Sequence, residues 1–232
     1  MKLYDYAYSN APVRARIVLY LKKIPFDRIS VDLLKAAKAG DSSFLELNPQ
    51  GMVPTLVDGA LIINQSVAIA EYLDEAFPTP RLLPGDAKDR ARVRSLALMV
   101  ACDGQPVVNL RIRRFLTGEL GFSRSAMIAW VRHWLGTSLS EYEAMLQRYP
   151  VKGAFSHGED VTLADVFLVP HVVLARRFGV DLSPYRQAMK IHQSCMSIEA
   201  FQRAISEYIL EDPAYGLDER GRHGRGGSAQ LR

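Results

Sequence analysis

The segment Pro78-Thr79-Pro80-Arg81-Leu82-Leu83-Pro84 divides the chain into two parts that fold by different rules. Its three prolines fix three φ angles and remove three backbone donors, so it reads as a linker. Before it, strand and helix patterns alternate. Residues 2–6 alternate as a strand, Pro12 suits the first turn of a helix, and Ile17, Val18 and Leu21 repeat at helical spacing through Lys23. Phe26 to Val31 reads as a second strand, and a short helix falls near Ser43–Leu47. Thr55–Val57 and Leu61–Ile63 flank Asp58-Gly59, a strong hairpin signal, and Gln65 to Phe77 follows as a helix with Val67, Ile69, Ala70 and Leu73 inward. The order is βαβ, then ββα. Beyond the linker the periodicity is almost wholly helical, with helices expected near 87–116, 123–148, 162–177, 183–193 and 197–208. Thr162-Leu163-Ala164-Asp165 has capping-box spacing, with Asp for the usual Glu, and Val161 is placed as a staple. The chain therefore reads as an α/β domain over 1–79, an all-α domain over 88–215 and a disordered basic tail over 216–232.

Composition narrows the function. Apolar residues make up 48% and charged residues 23%, as in an ordinary globular protein. No apolar run approaches the ~20 residues of a membrane span, and Met1-Lys2-Leu3-Tyr4-Asp5 lacks a signal-peptide core. Cys102 and Cys195 lie far apart, with no CxxC, which suits buried apolar roles and a cytoplasmic protein. The net charge is +4, and Arg220, Arg222, Arg225 and Arg232, set against Asp218 and Glu219, carry about half of it in the tail. The body has no clustered basic face, so nucleic-acid binding is not expected. His133, His157, His171, His192 and His223 are scattered, each expected satisfied or exposed, and no metal is expected. Trp130, Trp134 and Met145 fall at core-like helical spacing.

Two local patterns point to a ligand. A proline at the strand entrance cannot donate to the ladder, and Pro54 pushes Val53 into an extended conformation. Val53 can then offer its own N–H and C=O to something other than a strand. Gln65-Ser66 opens the next helix, where a helix N-terminus attracts an anion. Together they suit a peptide-like ligand with its backbone beside Val53 and a carboxylate on Ser66.

Asn48-Pro49-Gln50-Gly51-Met52-Val53-Pro54-Thr55-Leu56 with Gln65-Ser66 resembles the glutathione-binding half of a glutathione transferase. That resemblance implies a thioredoxin-like first domain, a cis Val53-Pro54 bond, glutathione as cofactor and a homodimer. Tyr8-Ser9-Asn10-Ala11-Pro12-Val13-Arg14-Ala15-Arg16 lies between the first strand and the first helix. A thiol there meets the positive end of the helix, and the Ser9 hydroxyl can donate to the sulfur and favour thiolate. The other reading of Ser9 is a helix cap; beside the Val53 and Ser66 signals, thiolate activation is preferred. The segment resembles the zeta-class motif. Ser9, Arg14 and Arg16 match it, while Asn10, Ala11, Val13 and Tyr8 stand where serine, cysteine, tryptophan and arginine are usual. Losing that arginine removes a charge that could hold a dicarboxylate. Arg14 and Arg16 read either as substrate ligands or as one structural ion pair and one solvated side chain.

Cys102-Asp103-Gly104-Gln105-Pro106-Val107-Val108-Asn109-Leu110-Arg111 resembles the same class. Asp103, Val107 and Arg111 would share a face if a helix survived Pro106, which should kink it. The resemblance gives Gln105 a glutathione contact, Asp103 a reach to a partner subunit's glutathione, and Arg111 a substrate carboxylate. For Arg111 a plain surface arginine remains the alternative, and Arg113 and Arg114 read as solvated. Ala175-Arg176-Arg177-Phe178 resembles zeta-class and maleylpyruvate isomerases, with Arg177 at a carboxylate-binding position and Arg176 as the neighbouring choice. For both, offsetting a helix C-terminal dipole is the alternative. The implied activity is glutathione-dependent cis-trans isomerisation of a small maleyl keto acid, maleylpyruvate or maleylacetoacetate. Conjugation or dehalogenation of small electrophiles, and a non-catalytic interaction protein on the same fold, are the other two readings.

Overall fold

A computed structural model describes residues 1–33 and 42–210. The tail over 216–232 and the last five residues of the second expected domain lie outside the described residues. Four strands form one mixed sheet in the order β2-β1-β3-β4. β1 (Lys2–Asp5) pairs parallel with β2 (Asp27–Ser30), and helix α1 (Asn10–Leu21) makes the crossover between them. β3 (Thr55–Asp58) runs antiparallel to β1 and turns at Gly59 into β4 (Leu61–Asn64). The short α2 (Ser42–Leu47) precedes β3, and α3 (Ser66–Ala76) follows β4. This is the expected thioredoxin-like arrangement.

Helices α4 (Ala87–Leu98), α5 (Leu110–Gly118), α6 (Arg124–Arg148), α7 (Leu163–Arg177), α8 (Arg186–Cys195) and α9 (Glu199–Leu210) build the second part. The single helix expected over 87–116 is broken. A π-helical turn over Met99–Gly104 and a 3₁₀ turn over Pro106–Val108 separate α4 from α5. The Gln105 N–H reaches back five residues to Val100 O at 2.9 Å. Pro106 has no N–H to continue the ladder, and Asn109 starts a new helix by accepting from Ile112 N at 3.0 Å. Asp103, Val107 and Arg111 therefore do not share one helical face.

The linker is tied down. Asp74 accepts from Leu82 N at 2.7 Å and Leu83 N at 3.0 Å, and pairs with Lys22 Nζ at 2.8 Å. Lys22 also donates to Phe77 O and Pro80 O. Leu82 and Leu83 join a core that runs without a break from Leu3, Ile17 and Leu73 to Leu135, Phe167 and Val169. α7 is buried along most of its length and starts at the expected box: Asp165 accepts from Thr162 N at 2.8 Å, Thr162 Oγ at 2.9 Å and Ser156 N at 2.7 Å. Burial of Asp165 nonetheless pushes its carboxyl above the usual range. Among the described residues, no helix is long and apolar enough to cross a membrane.

Candidate functional site

The site begins at a turn organised by Asn48. This buried amide donates to Met52 O at 2.7 Å and Thr55 Oγ at 3.1 Å, and accepts from Gln50 N at 3.1 Å. Gly51 takes φ +61°, where a side chain is strained. The turn delivers a cis Val53-Pro54 bond, as expected. Strand pairing starts only at Thr55, opposite Asn64, so Val53 lies outside the ladder. Its side chain is packed with Tyr6, Val31 and Phe44 in a second small core.

Val53 borders a cleft of about 510 Å³ whose walls also carry Ser9, Met52, Leu110, Arg111 and Arg114. Ser9 sits in extended conformation before α1, and its side chain makes no cap hydrogen bond. The capping reading therefore fails: the hydroxyl is left for the cleft, at the positive end of a helix of 12 residues.

Gln65 holds φ +73°, an unusual conformation for a residue with a side chain, and costs about 1–3 kcal/mol in strain. Its side chain donates to Gln50 Oε1 at 3.0 Å. That backbone starts α3 at Ser66, which is buried. Arg14 joins the two halves of the site. Nη1 donates to Ser66 Oγ at 3.3 Å and Nη2 to Gln105 Oε1 at 3.3 Å, and the guanidinium lies 4.7 Å from the centre of the Phe167 ring. Asn10 Nδ2 donates to the same Gln105 oxygen at 2.8 Å. Burial lowers Arg14 to about 9, which leaves it charged at neutral pH.

Several expectations change here. Arg16 is the structural ion pair, with Asp5 at 2.5 Å, but Arg14 is buried rather than solvated. Arg113 is buried with its guanidinium 5.5 Å from the Phe178 ring centre, and Arg114 faces the cleft; neither is a simply solvated cation. His171 is fully buried, and neither ring nitrogen has a hydrogen-bond partner, so it is not satisfied. Cys195 is buried, whereas Cys102 is exposed; both are free. Trp130, Trp134 and Met145 pack on the core as expected.

The fold thus brings Ser9, Val53 and Arg111 to one cleft, and links Ser66 to Gln105 through Arg14. Asp103 is exposed on the π-helical turn. Arg177 ends α7, 5.8 Å from the Tyr208 ring centre, and does not line the cleft. Arg176 is exposed on the same last turn. Asn10 and Arg114 also lie at the candidate site, where the sequence alone places neither. Asn10 stands four residues before Arg14, one turn apart on α1, and that spacing was a usable signal.

These groups suit a glutathione-like ligand. Asn10 Oδ1 and Arg14 Nε are buried without a hydrogen-bond partner, Ser9 presents its hydroxyl, and Ser66 opens a helix. Among the described residues, no three His, Cys, Asp or Glu side chains cluster as a metal ion requires.

Comparison with known proteins decides the family. Residues 3–81 match the glutathione S-transferase N-terminal domain. The chain is 44% identical to maleylpyruvate isomerase of Ralstonia sp over 204 residues, covering 88% of this chain and 96% of that one. It belongs to the zeta-class glutathione transferases, in the maleylpyruvate/maleylacetoacetate isomerase family. It shares their fold and is an enzyme of that kind. The holo structure of a bacterial zeta-class maleylpyruvate isomerase superposes with a TM-score of 0.84 at 44% identity, covering 88% of this chain and 96% of that one. Maleylacetoacetate isomerase of Methylobacterium extorquens AM1, solved with malonate and glutathione bound, gives 0.83 at 36% identity, covering 92% and 98%.

Proposed function

We propose that this zeta-class enzyme uses glutathione to convert a maleyl keto acid, maleylpyruvate or maleylacetoacetate, to its fumaryl isomer. The observation that carries the reading is the Ser9 hydroxyl, free of any cap bond, in the same cleft as Arg111 and the ladder-free residue Val53. Glutathione, when bound, supplies the thiol chemistry: addition of its sulfur to the cis double bond, rotation, and elimination of the trans acid with the thiol regenerated.

The chain's own groups then have separable tasks. The backbone of Val53 binds the peptide part of the cofactor, while Gln65, Ser66 and the α3 N-terminus take its carboxylate. Arg14 holds Ser66 and Gln105 at fixed spacing, and Gln105 contacts the cofactor from the helical domain. Ser9 donates a hydrogen bond that favours the ionised sulfur, aided by the α1 dipole. Arg111 binds a substrate carboxylate and stabilises negative charge that develops on addition. By family resemblance Arg177 stands at a carboxylate-binding position, but it lies outside this cleft, against the Tyr208 ring. Asp103, exposed on the π-helical turn, serves the cofactor of a partner subunit in a homodimer, and Leu61 and Ile62 on the edge strand β4 offer apolar surface for pairing. Two free cysteines fit a cytoplasmic setting.

Conjugation of glutathione to small electrophiles is the second reading. Tyr8, set edge-on against Tyr6 at 5.1 Å, favours it by bringing no charge next to Ser9. Proton NMR of maleylpyruvate with enzyme and glutathione separates the two. Isomerisation gives trans vinyl protons and unmodified glutathione. A persistent thioether and consumed glutathione would establish conjugation instead.

A further inference from the structure

We infer that Arg114 joins Arg111 in a paired cationic clamp that makes this cleft selective for acids carrying two carboxylates. The inference rests on the proposed function for placing substrate in this cleft, but not on the isomerisation itself.

The basic run of α5 is divided by helix geometry. At 3.6 residues per turn, Arg111 and Arg114 lie only about 60° apart around the axis, while Arg113 points to another side. Arg113 is used by the fold: it is buried against the Phe178 ring. Arg111 and Arg114 instead line the cleft that holds Ser9. Among the described residues neither is in an ion pair, and no acidic side chain lines that cleft.

Their placement opposes local stability twice. Like charges three residues apart on a helix repel one another. Arg111 also lies in the first turn of α5, next to the positive end of the dipole, where a cation is unfavourable. The cap residue Asn109 and Leu110 line the same cleft, so the α5 N-terminus adds its partial positive charge there. Two guanidiniums and a helix N-terminus, with no counter-charge on the cleft wall among the described residues, fit a dianion from outside. The remaining wall, including Met52, Val53 and Leu110, accommodates the short carbon chain between two carboxylates. Arg111 takes one carboxylate and Arg114 the other.

The test is direct binding, so that it reads the clamp without turnover. Isothermal titration compares glutarate with its mono-amide, in the presence of saturating S-methylglutathione. Wild type binds glutarate more tightly than the mono-amide. Arg114→Gln loses about tenfold or more in glutarate affinity and little for the mono-amide, as expected for removing a charge-assisted hydrogen bond. Arg114→Lys keeps most of the preference. Equal affinity for the two ligands in wild type, unchanged glutarate affinity in Arg114→Gln, or an equal loss for both ligands would overturn the clamp. If the preference holds but no maleyl keto acid is isomerised, the reaction reading fails and the clamp stands. If wild type isomerises but Arg114→Gln keeps the preference, the clamp alone fails.

Discussion

Ser9 occupies the residue position before α1 where a serine ordinarily bonds back to the helix, yet its side chain makes no such bond. Replacing it by alanine should therefore leave the helix in place and lower turnover by ~10²-fold or more. Steady-state rates beside thermal melts check this, and full turnover in Ser9→Ala would remove Ser9 from the chemistry. Arg14 works through its neighbours. Arg14→Met should weaken glutathione binding in a titration by freeing Ser66 and Gln105, while Arg14→Lys restores part of it; unaltered affinity in Arg14→Met would limit Arg14 to packing over Phe167. At this scale the sequence was informative where chemistry is local. Ser9, Val53, Gln65 and Ser66 owe their positions to turns and helix starts a few residues long. Arg114 and His171 were misread because facing a cleft or being sealed in a core depends on helices far away in the chain.

Among the elements, the break between α4 and α5 positions Gln105. The wider π-helical turn brings Gly104 against α6 and α7. A Cβ there would lie 2.4 Å from Ser138 Oγ and 3.1 Å from His171 Cε1. Gly104→Ala should cost about 1–3 kcal/mol by overpacking, read as a lower urea midpoint, together with weaker glutathione binding as Gln105 shifts. An unchanged midpoint would mean that the turn has slack. Pro106 announced an interruption, but the apolar period runs on through it, so the sequence could not show a π-helical turn followed by a new capped helix. The α7 start was legible in full, because its box lies within four adjacent residues. The sheet was legible too, since the Asp58-Gly59 turn and the crossover through α1 leave few alternative orders.

For the whole molecule, the Arg14 contacts and the continuous core join the two parts of the fold. Its acid stability should reflect two buried histidines. Burial, with a lesser push from Arg14, lowers His171 to about 3, and burial, with a lesser push from Arg176, lowers His192 to about 4. Both are neutral when folded and titrate near 6.5 when unfolded, so the unfolded chain binds more protons below that pH. Stability is then full above pH ~6.5 and falls as pH drops toward these lowered values, by about 2 kcal/mol per histidine by pH ~5. Denaturant titrations from pH ~7 to ~5 should show the decline, and His171→Gln should remove about half of it, leaving the His192 share; a level profile in wild type would contradict the assignment. The central claim is that glutathione enters and leaves the reaction unchanged at a site built by Ser9, Val53 and Ser66. It is tested most directly by following maleylpyruvate in the ultraviolet with substrate in large excess over glutathione. The account predicts complete conversion to fumarylpyruvate and none without glutathione. Conversion that stops at one equivalent of glutathione, or proceeds without it, would contradict it.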